Sequence, residues 1–265
     1  MPETPLVDPA WLADHRDDPS VHIVDVRDSW EYDSIGHLPG AVNIPFDSYR
    51  DADSSDPGTL PGADAFGRLL GEAGIGPDDT IVAYDDTHGV FAARLLVTAL
   101  AYGHENVALL DGDFSSWQRA FETTTESPEI DPVTYAIDGL AATAPIVDRA
   151  AVEAAIGDEM ATLLDTRDEV EYEDQHIPGA IRIDWREFVD DDSRGVRSAA
   201  ESEALLAERG ISTDRDQRII LYCNTSRRLS HTFVVLRALG FTDVVIYEGS
   251  MTDWTAAGGA TESLV

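Results

Sequence analysis

The chain repeats itself. Residues 23–45, IVDVRDSWEYDSIGHLPGAVNIP, return at 163–184 as LLDTRDEVEYEDQHIPGAIRID. Asp25, Arg27, Glu31 and Tyr32 match Asp165, Arg167, Glu171 and Tyr172 at a spacing of 140, and His37, Pro39 and Gly40 match His176, Pro178 and Gly179 at 139. TIVAYDDTHG (80–89) matches RIILYCNTSR (218–227), with Tyr84 opposite Tyr222 at 138. DGDFSSW (111–117) matches EGSMTDW (248–254), with Trp117 opposite Trp254 at 137. A one-residue drift is what single-residue loop changes between two copies produce. Each copy must fold as the same kind of unit, so 265 residues make two similar domains. The expected division is a first domain over 1–125, a linker over 126–143 and a second domain over 144–265. The stretch FETTTESPEIDP leading into that linker is polar, carries two prolines and lacks apolar periodicity.

Within each copy the pattern alternates. VHIVDV, TIVAY and NVALLD in the first copy, and ATLLDT, RIILYC and DVVIYE in the second, are short apolar runs that read as buried strands. Helical patterns over 90–102 and 228–239 end at Gly103 and Gly240, placed as C-terminal cap glycines. Leu229, Phe233, Leu236 and Leu239 fall on one apolar side of the second. Strands alternating with helices imply parallel pairing, an α/β fold with a mostly parallel sheet and helices on both faces in each half.

Charge narrows the partners. Acidic residues number 51 against 18 basic ones, for a net charge of −33, and every base is arginine. Such a chain repels nucleic-acid backbones and anionic membrane surfaces. Acid spread along the whole length, with lysine absent, points to a salt-adapted, halophilic protein. At molar salt the Debye length falls to about 3 Å and self-repulsion is screened. No apolar run reaches the roughly 20 residues of a membrane span, and MPETPLVDPAWLADHRDD has neither a basic start nor an apolar stretch. A cytoplasmic protein is the expectation, and a monomer. The single cysteine, Cys223, excludes an intrachain disulfide and a multi-cysteine metal site.

Cys223 closes the run Ile219-Ile220-Leu221-Tyr222 and is followed by Asn224, Thr225, Ser226, Arg227 and Arg228 before the helix. A strand, a short polar loop and a helix start form an anion site, with converging N–H groups and the positive end of the helix dipole. Such a field favours the thiolate form of a cysteine, the nucleophilic form. Two adjacent arginines beside the only cysteine of a strongly acidic chain reinforce that reading. The first copy carries Asp85-Asp86-Thr87-His88-Gly89 at this place, so the nucleophile position holds an aspartate and both arginines are missing. The plainer alternative is a buried cysteine that packs at a strand end while the arginines pair with surface acids.

The chain resembles the tandem rhodanese-family sulfurtransferases over nearly its whole length. The resemblance rests on Asp25-Val26-Arg27 and Asp165-Thr166-Arg167, on His37 to Ala41 and His176 to Ala180, on the cysteine loop at 223–228, and on the glycine-to-tryptophan segments at 112–117 and 249–254. It implies an inactive first domain and a catalytic second one. It further implies double displacement: Cys223 takes the outer sulfur of thiosulfate as a persulfide, sulfite leaves, and a thiophilic acceptor such as cyanide or a thiol removes the sulfur. Arg228 is assigned with Cys223 to catalysis, and Asn224, Thr225, Ser226 and Arg227 to substrate binding. No metal or organic cofactor is expected, because the sulfur rides on the protein. The loop C-N-T-S-R-R is similar to the C-Q-T-x-x-R type of bacterial thiosulfate enzymes, whereas mercaptopyruvate enzymes usually carry a neutral C-G-x-G-V-T loop. A dianion suits a doubly basic loop, so thiosulfate is preferred over 3-mercaptopyruvate.

Many relatives place a substrate-contacting arginine four residues after the D-x-R arginine. Here that position is Glu171, so that contact is not carried over; the first copy has Glu31 there, which fits a structural acid at a helix start. Gln175 replaces the usual glycine before the histidine. Asp165, Arg167 and His176 read as structural anchors, Trp254 as either core or pocket border, and His231 as a surface or packing residue. A cysteine phosphatase would place its arginine six residues after the cysteine, where this chain has Leu229. A non-catalytic rhodanese-like binding or sensor module is the alternative of another class.

Overall fold

A computed structural model describes residues 4–51 and 59–265. The chain divides into two compact units. One is built on residues 4–51 and Leu60–Ala144 with the segment Asp190–Val196; the other is built on Pro145–Val189 and Arg197–Val265. Each contains one five-stranded parallel sheet with helices packed around it.

In the first unit the strand order is Leu6–Val7, Val107–Leu110, Thr80–Tyr84, Val21–Asp25, Val42–Asn43. In the second it is Ile146–Val147, Val244–Tyr247, Arg218–Tyr222, Ala161–Asp165, Ile181–Arg182. Every pair is parallel. The central strands are continuous apolar runs because both of their faces are covered; Thr80–Tyr84 is buried at every residue. The six apolar runs of the sequence become the six inner strands, within a residue at each end. The four edge strands are only two residues long, too short for a periodic pattern.

The helices that follow the central strands are Val90–Ala101 and Arg227–Ala238. Gly103 and Gly240 lie just beyond them with φ of +87° and +90°, the left-handed turn that ends a helix without strain only at glycine. The second of these helices is buried from Leu229 to Leu236 around its whole circumference, so it is a core helix and not one with a single apolar side. His231 is fully buried there, edge-on to Trp185 at 5.2 Å between ring centres.

The same internal clamp holds both copies. Tyr84 lies beside Asp25 and Tyr222 beside Asp165 across the central strand pair. Asp25 accepts from Arg27 Nη2 at 2.6 Å and from Tyr84 Oη at 2.5 Å, and Arg27 Nη2 reaches the Gly36 carbonyl at 2.7 Å. Asp165 accepts from Arg167 Nη2 at 2.6 Å, and Arg167 reaches the Gln175 carbonyl at 2.7 Å. All four charged side chains are buried. Burying a charge is costly unless it is paired; here the pairing ties the D-x-R segment to the turn before each histidine, while Arg27 Nη1 finds no hydrogen-bond partner and the guanidinium lies over the Phe114 ring at 3.8 Å. His37 and His176 bond the carbonyls of Tyr32 and Tyr172 through Nδ1 at 3.0 and 2.7 Å, and their backbones bridge to Thr124 and Glu262. They pin the extended segment that follows each tryptophan.

Trp117 and Trp254 are core residues. Their indole N–H groups donate to the carbonyls of Glu122 and Ala260 at 2.9 and 2.8 Å. The segment expected as a linker packs along helix Ala63–Glu72. A Cβ on Gly67 or Gly71 would come within 2.4 Å of the Tyr135 or Val133 carbonyl oxygen, so glycine is needed for that approach.

Candidate active site

Strand Arg218–Tyr222 runs down the middle of the second sheet and delivers Cys223 at its C-terminal end, 1% exposed. The Cys223 N–H donates to Ser250 Oγ at 3.2 Å, and its carbonyl accepts from the Met251 N–H at 3.0 Å. These two bonds fix the strand end against the 248–254 segment. The loop then turns at Ser226, whose φ of +60° is left-handed. A non-glycine residue there costs about 1–2 kcal/mol. The Ser226 hydroxyl offsets this by donating to the Glu248 carbonyl, and Ser230 Oγ donates to the Ser226 carbonyl at 2.7 Å. Gly89, the matching helix cap of the first copy, is also left-handed at +81°, and it is preceded there by a second left-handed residue, His88 at +55°. Both copies thus enter the helix through a left-handed cap, with one residue fewer between strand and helix in the second copy.

The first copy shows what this shape binds. Asp85 is buried and its carboxylate accepts four backbone N–H groups: Thr87 at 2.7 Å, Gly89 at 2.8 Å, Phe91 at 2.7 Å and Ala92 at 3.1 Å. Burial pushes this carboxyl above its usual value against the pull of the four donors. Asp85 thus sets two acceptor oxygens inside a cradle of backbone donors at the start of a helix. At the strand spacing of 138 Asp85 corresponds to Cys223 and Thr87 to Thr225; at the helix spacing of 137, Val90–Ala101 onto Arg227–Ala238, the donors Gly89, Phe91 and Ala92 correspond to Ser226, Arg228 and Leu229. Arg194, in the segment assigned to this unit, donates through Nε to both Asp113 oxygens at 2.8 Å and through Nη2 to the Asp86 carbonyl at 3.1 Å.

Around Cys223 the charges are arranged differently. Arg228 forms a bidentate pair with Glu171, Nη1 to Oε2 at 2.5 Å and Nη2 to Oε1 at 2.9 Å, with Asp168 4.0 Å away. Asn224 Nδ2 also donates to Glu171 Oε1. Asn224 Oδ1 accepts from Arg167 Nη1 at 3.4 Å, and its carbonyl accepts from Thr252 Oγ1 at 2.9 Å. Burial would raise the Glu171 carboxyl, but the hydrogen bonds and charge of Arg228 outweigh it and bring it down to about 2. Burial lowers Arg228, and Glu171 together with the negative charge of an ionised Cys223 more than reverses that, raising it.

The residues expected from the sequence lie as follows. Cys223, Asn224, Thr225, Ser226 and Arg228 share this loop, with Arg227 exposed at the helix start. Ser226 commits its proton to a carbonyl and shapes the loop. Arg228 is already bound by a carboxylate. Glu171 is the residue that sequence reasoning set aside. In the first copy Glu31 caps its own helix, accepting from the Asp28 N–H at 3.2 Å. In the second copy Asp168 caps, by accepting the Glu171 N–H at 2.9 Å, and the Glu171 carboxylate reaches the cysteine loop instead. The one available signal was an acid where relatives carry arginine, paired with an extra arginine in the loop.

Among the described residues no group of three or more His, Cys, Asp or Glu side chains could hold a metal ion, and no helix is long and apolar enough to cross a membrane.

Comparison with known proteins follows the same division. A family model described as the rhodanese-like domain matches residues 8–120 and again 148–257. The thiosulfate sulfurtransferase of Corynebacterium glutamicum is 32% identical, over 94% of this chain and 87% of its own. The sulfur carrier protein TtuD of Thermus thermophilus is 32% identical, over 94% and 93%. Among solved structures, SseA from Escherichia coli, described as a 3-mercaptopyruvate sulfotransferase, superposes with a TM-score of 0.82 at 27% identity, covering 93% of this chain and 98% of that one.

Proposed function

The chain belongs to the rhodanese-like family, in two tandem copies, and from that premise we propose that it transfers the sulfane sulfur of thiosulfate through a persulfide on Cys223. The observation that carries this is the first copy's occupied cradle. Asp85 sets two acceptor oxygens among four backbone N–H donors at the position that Cys223 takes in the second copy, which supports a loop around Cys223 able to surround an anion.

In the first half-reaction the Cys223 thiolate attacks the outer sulfur of thiosulfate. A new S–S bond forms as the old one breaks, and sulfite leaves with the electron pair. The persulfide anion then lies among the N–H groups of the loop and the helix start. Preorganised donors of this kind are worth about 3 kcal/mol each in other enzymes, because they need no reorganisation as charge develops. In the second half-reaction a thiophile, cyanide or a thiol, bonds to the outer sulfur, and the Cys223 thiolate is restored. Arg227 at the exposed helix start, with the part of the Arg228 charge that Glu171 leaves uncancelled, draws the dianion to the loop. The first copy cannot take part, because its cradle is filled by a carboxylate with no sulfur.

A second reading has one observation in its favour, the similarity to SseA. With 3-mercaptopyruvate the same cysteine would be charged and pyruvate would leave. The names of the relatives and the basic loop favour thiosulfate. Steady-state kcat/KM with cyanide as acceptor, measured for both donors in the same high-salt buffer, decides between them. The expected result is a clear preference for thiosulfate; a preference for 3-mercaptopyruvate would replace the donor and leave the Cys223 persulfide in place.

A further inference from the structure

We propose that Glu171 is a positioning residue that sets the charge presented to whatever anion approaches Cys223. The inference rests on the sulfur-transfer reading for its purpose and on the geometry for its content. One carboxylate ties both ends of the active loop: Oε1 takes Asn224, the residue after the cysteine, and both oxygens take Arg228, five residues after it. The pair is half-buried, with side-chain exposures of 28% for Glu171 and 18% for Arg228, so solvent screens it only in part. Glu171 therefore does two things. It fixes the loop, and it cancels much of the charge of Arg228, the loop arginine whose field reaches Cys223.

The repeat supplies an internal control. Glu31 occupies the same place in the first copy, whose loop has no arginine, and caps its helix. The second copy gave the cap to Asp168 alone and freed the Glu171 carboxylate for the loop. The other charges facing this loop have their own partners. Arg167 is held by Asp165 at 2.6 Å, and Asp168 stands 4.0 Å from Arg228 as a secondary acid. Removing the Glu171 charge thus uncovers Arg228 in particular. A site with Arg228 fully uncovered would bind a dianionic donor more tightly, and would also hold the departing sulfite and the persulfide anion more tightly. Glu171 trades binding for release.

The test uses the single cysteine as its own probe. Cys223 in the full-length protein is alkylated with iodoacetate, an anion, and with iodoacetamide, its neutral analogue, in wild type and Glu171→Gln. The ratio of the two rates cancels the reactivity of the thiol and reports the field at the sulfur. Glu171→Gln should raise the iodoacetate-to-iodoacetamide ratio at least about threefold at low salt, and the gain should shrink in molar salt. In parallel, KM for thiosulfate should fall while kcat falls with it. Glu171→Ala, which also releases Asn224, should lose kcat further. A role confined to loop structure would change both alkylation rates by one factor and leave their ratio alone. An unchanged ratio with thiosulfate still charging Cys223 would overturn this inference and spare the sulfur-transfer reading. A Cys223 that neither reagent nor thiosulfate reaches would overturn both.

Discussion

Asparagine at position 85 is the mildest way to spoil the first cradle. Asp85 Oδ1 accepts from Thr87 and Gly89, and Oδ2 from Phe91 and Ala92. In Asp85→Asn one oxygen becomes an amide nitrogen, so two backbone donors lose their acceptor and face another donor. Each stranded buried donor costs about 1–3 kcal/mol. The neutral amide is cheaper to bury than a carboxylate, which returns part of that. The balance is a loss of about 3 kcal/mol. Native-state hydrogen exchange is the suitable assay, because it reads each segment without assuming that both units unfold together. Peptides covering 80–101 should exchange roughly a hundredfold faster in the variant, while those covering 218–238 keep their protection. Protection of 80–101 within about threefold of wild type would refute the reasoning, since it would mean that the four contacts contribute nothing to the fold of that loop.

Two further outcomes follow from the charges. Glu171 has its carboxyl held down at about 2, below its ordinary 4.5, so its stabilisation is complete above the ordinary value and is lost as pH falls through the range from about 5 to 2. After allowance for solvent screening this is worth on the order of 1–2 kcal/mol, and acid titration of stability should show a shallower loss over that range in Glu171→Gln than in wild type. Salt acts on the whole molecule. With a net charge of −33, melting temperature should rise steeply from 0.1 M to 2 M NaCl as self-repulsion is screened; a flat profile would remove the case for salt adaptation.

Much of this was legible in the sequence because the repeat doubled every signal. Asp25 and Asp165, or His37 and His176, each stand for a weak pattern alone, but in register they place the same strand, clamp and turn twice. The inner strands were readable because burial on both faces makes them unbroken apolar runs. The edge strands Leu6–Val7 and Ile181–Arg182 were not, since two residues carry no period. Helix Arg227–Ala238 was read as one-sided because Ser230, His231 and Thr232 are polar, yet all three are buried. Glu171 escaped because an acid three residues into a helix looks the same in sequence whether it caps or reaches elsewhere; only the position of Arg228, 57 residues on, separates the two. The meeting of Arg194 with Asp113 and Asp86 escaped for the same reason, being a contact between distant segments with no periodic trace. Asp85 was read as a missing nucleophile; the structure adds that it occupies the cradle.

The central claim is that Cys223 carries the sulfur. Wild type and Cys223→Ser are incubated with thiosulfate in high salt, freed of excess donor, and weighed intact by mass spectrometry. The account predicts a gain of one sulfur atom in wild type alone, removed by cyanide. A wild type that stays at its unmodified mass, or a Cys223→Ser protein that gains the same sulfur, would contradict it.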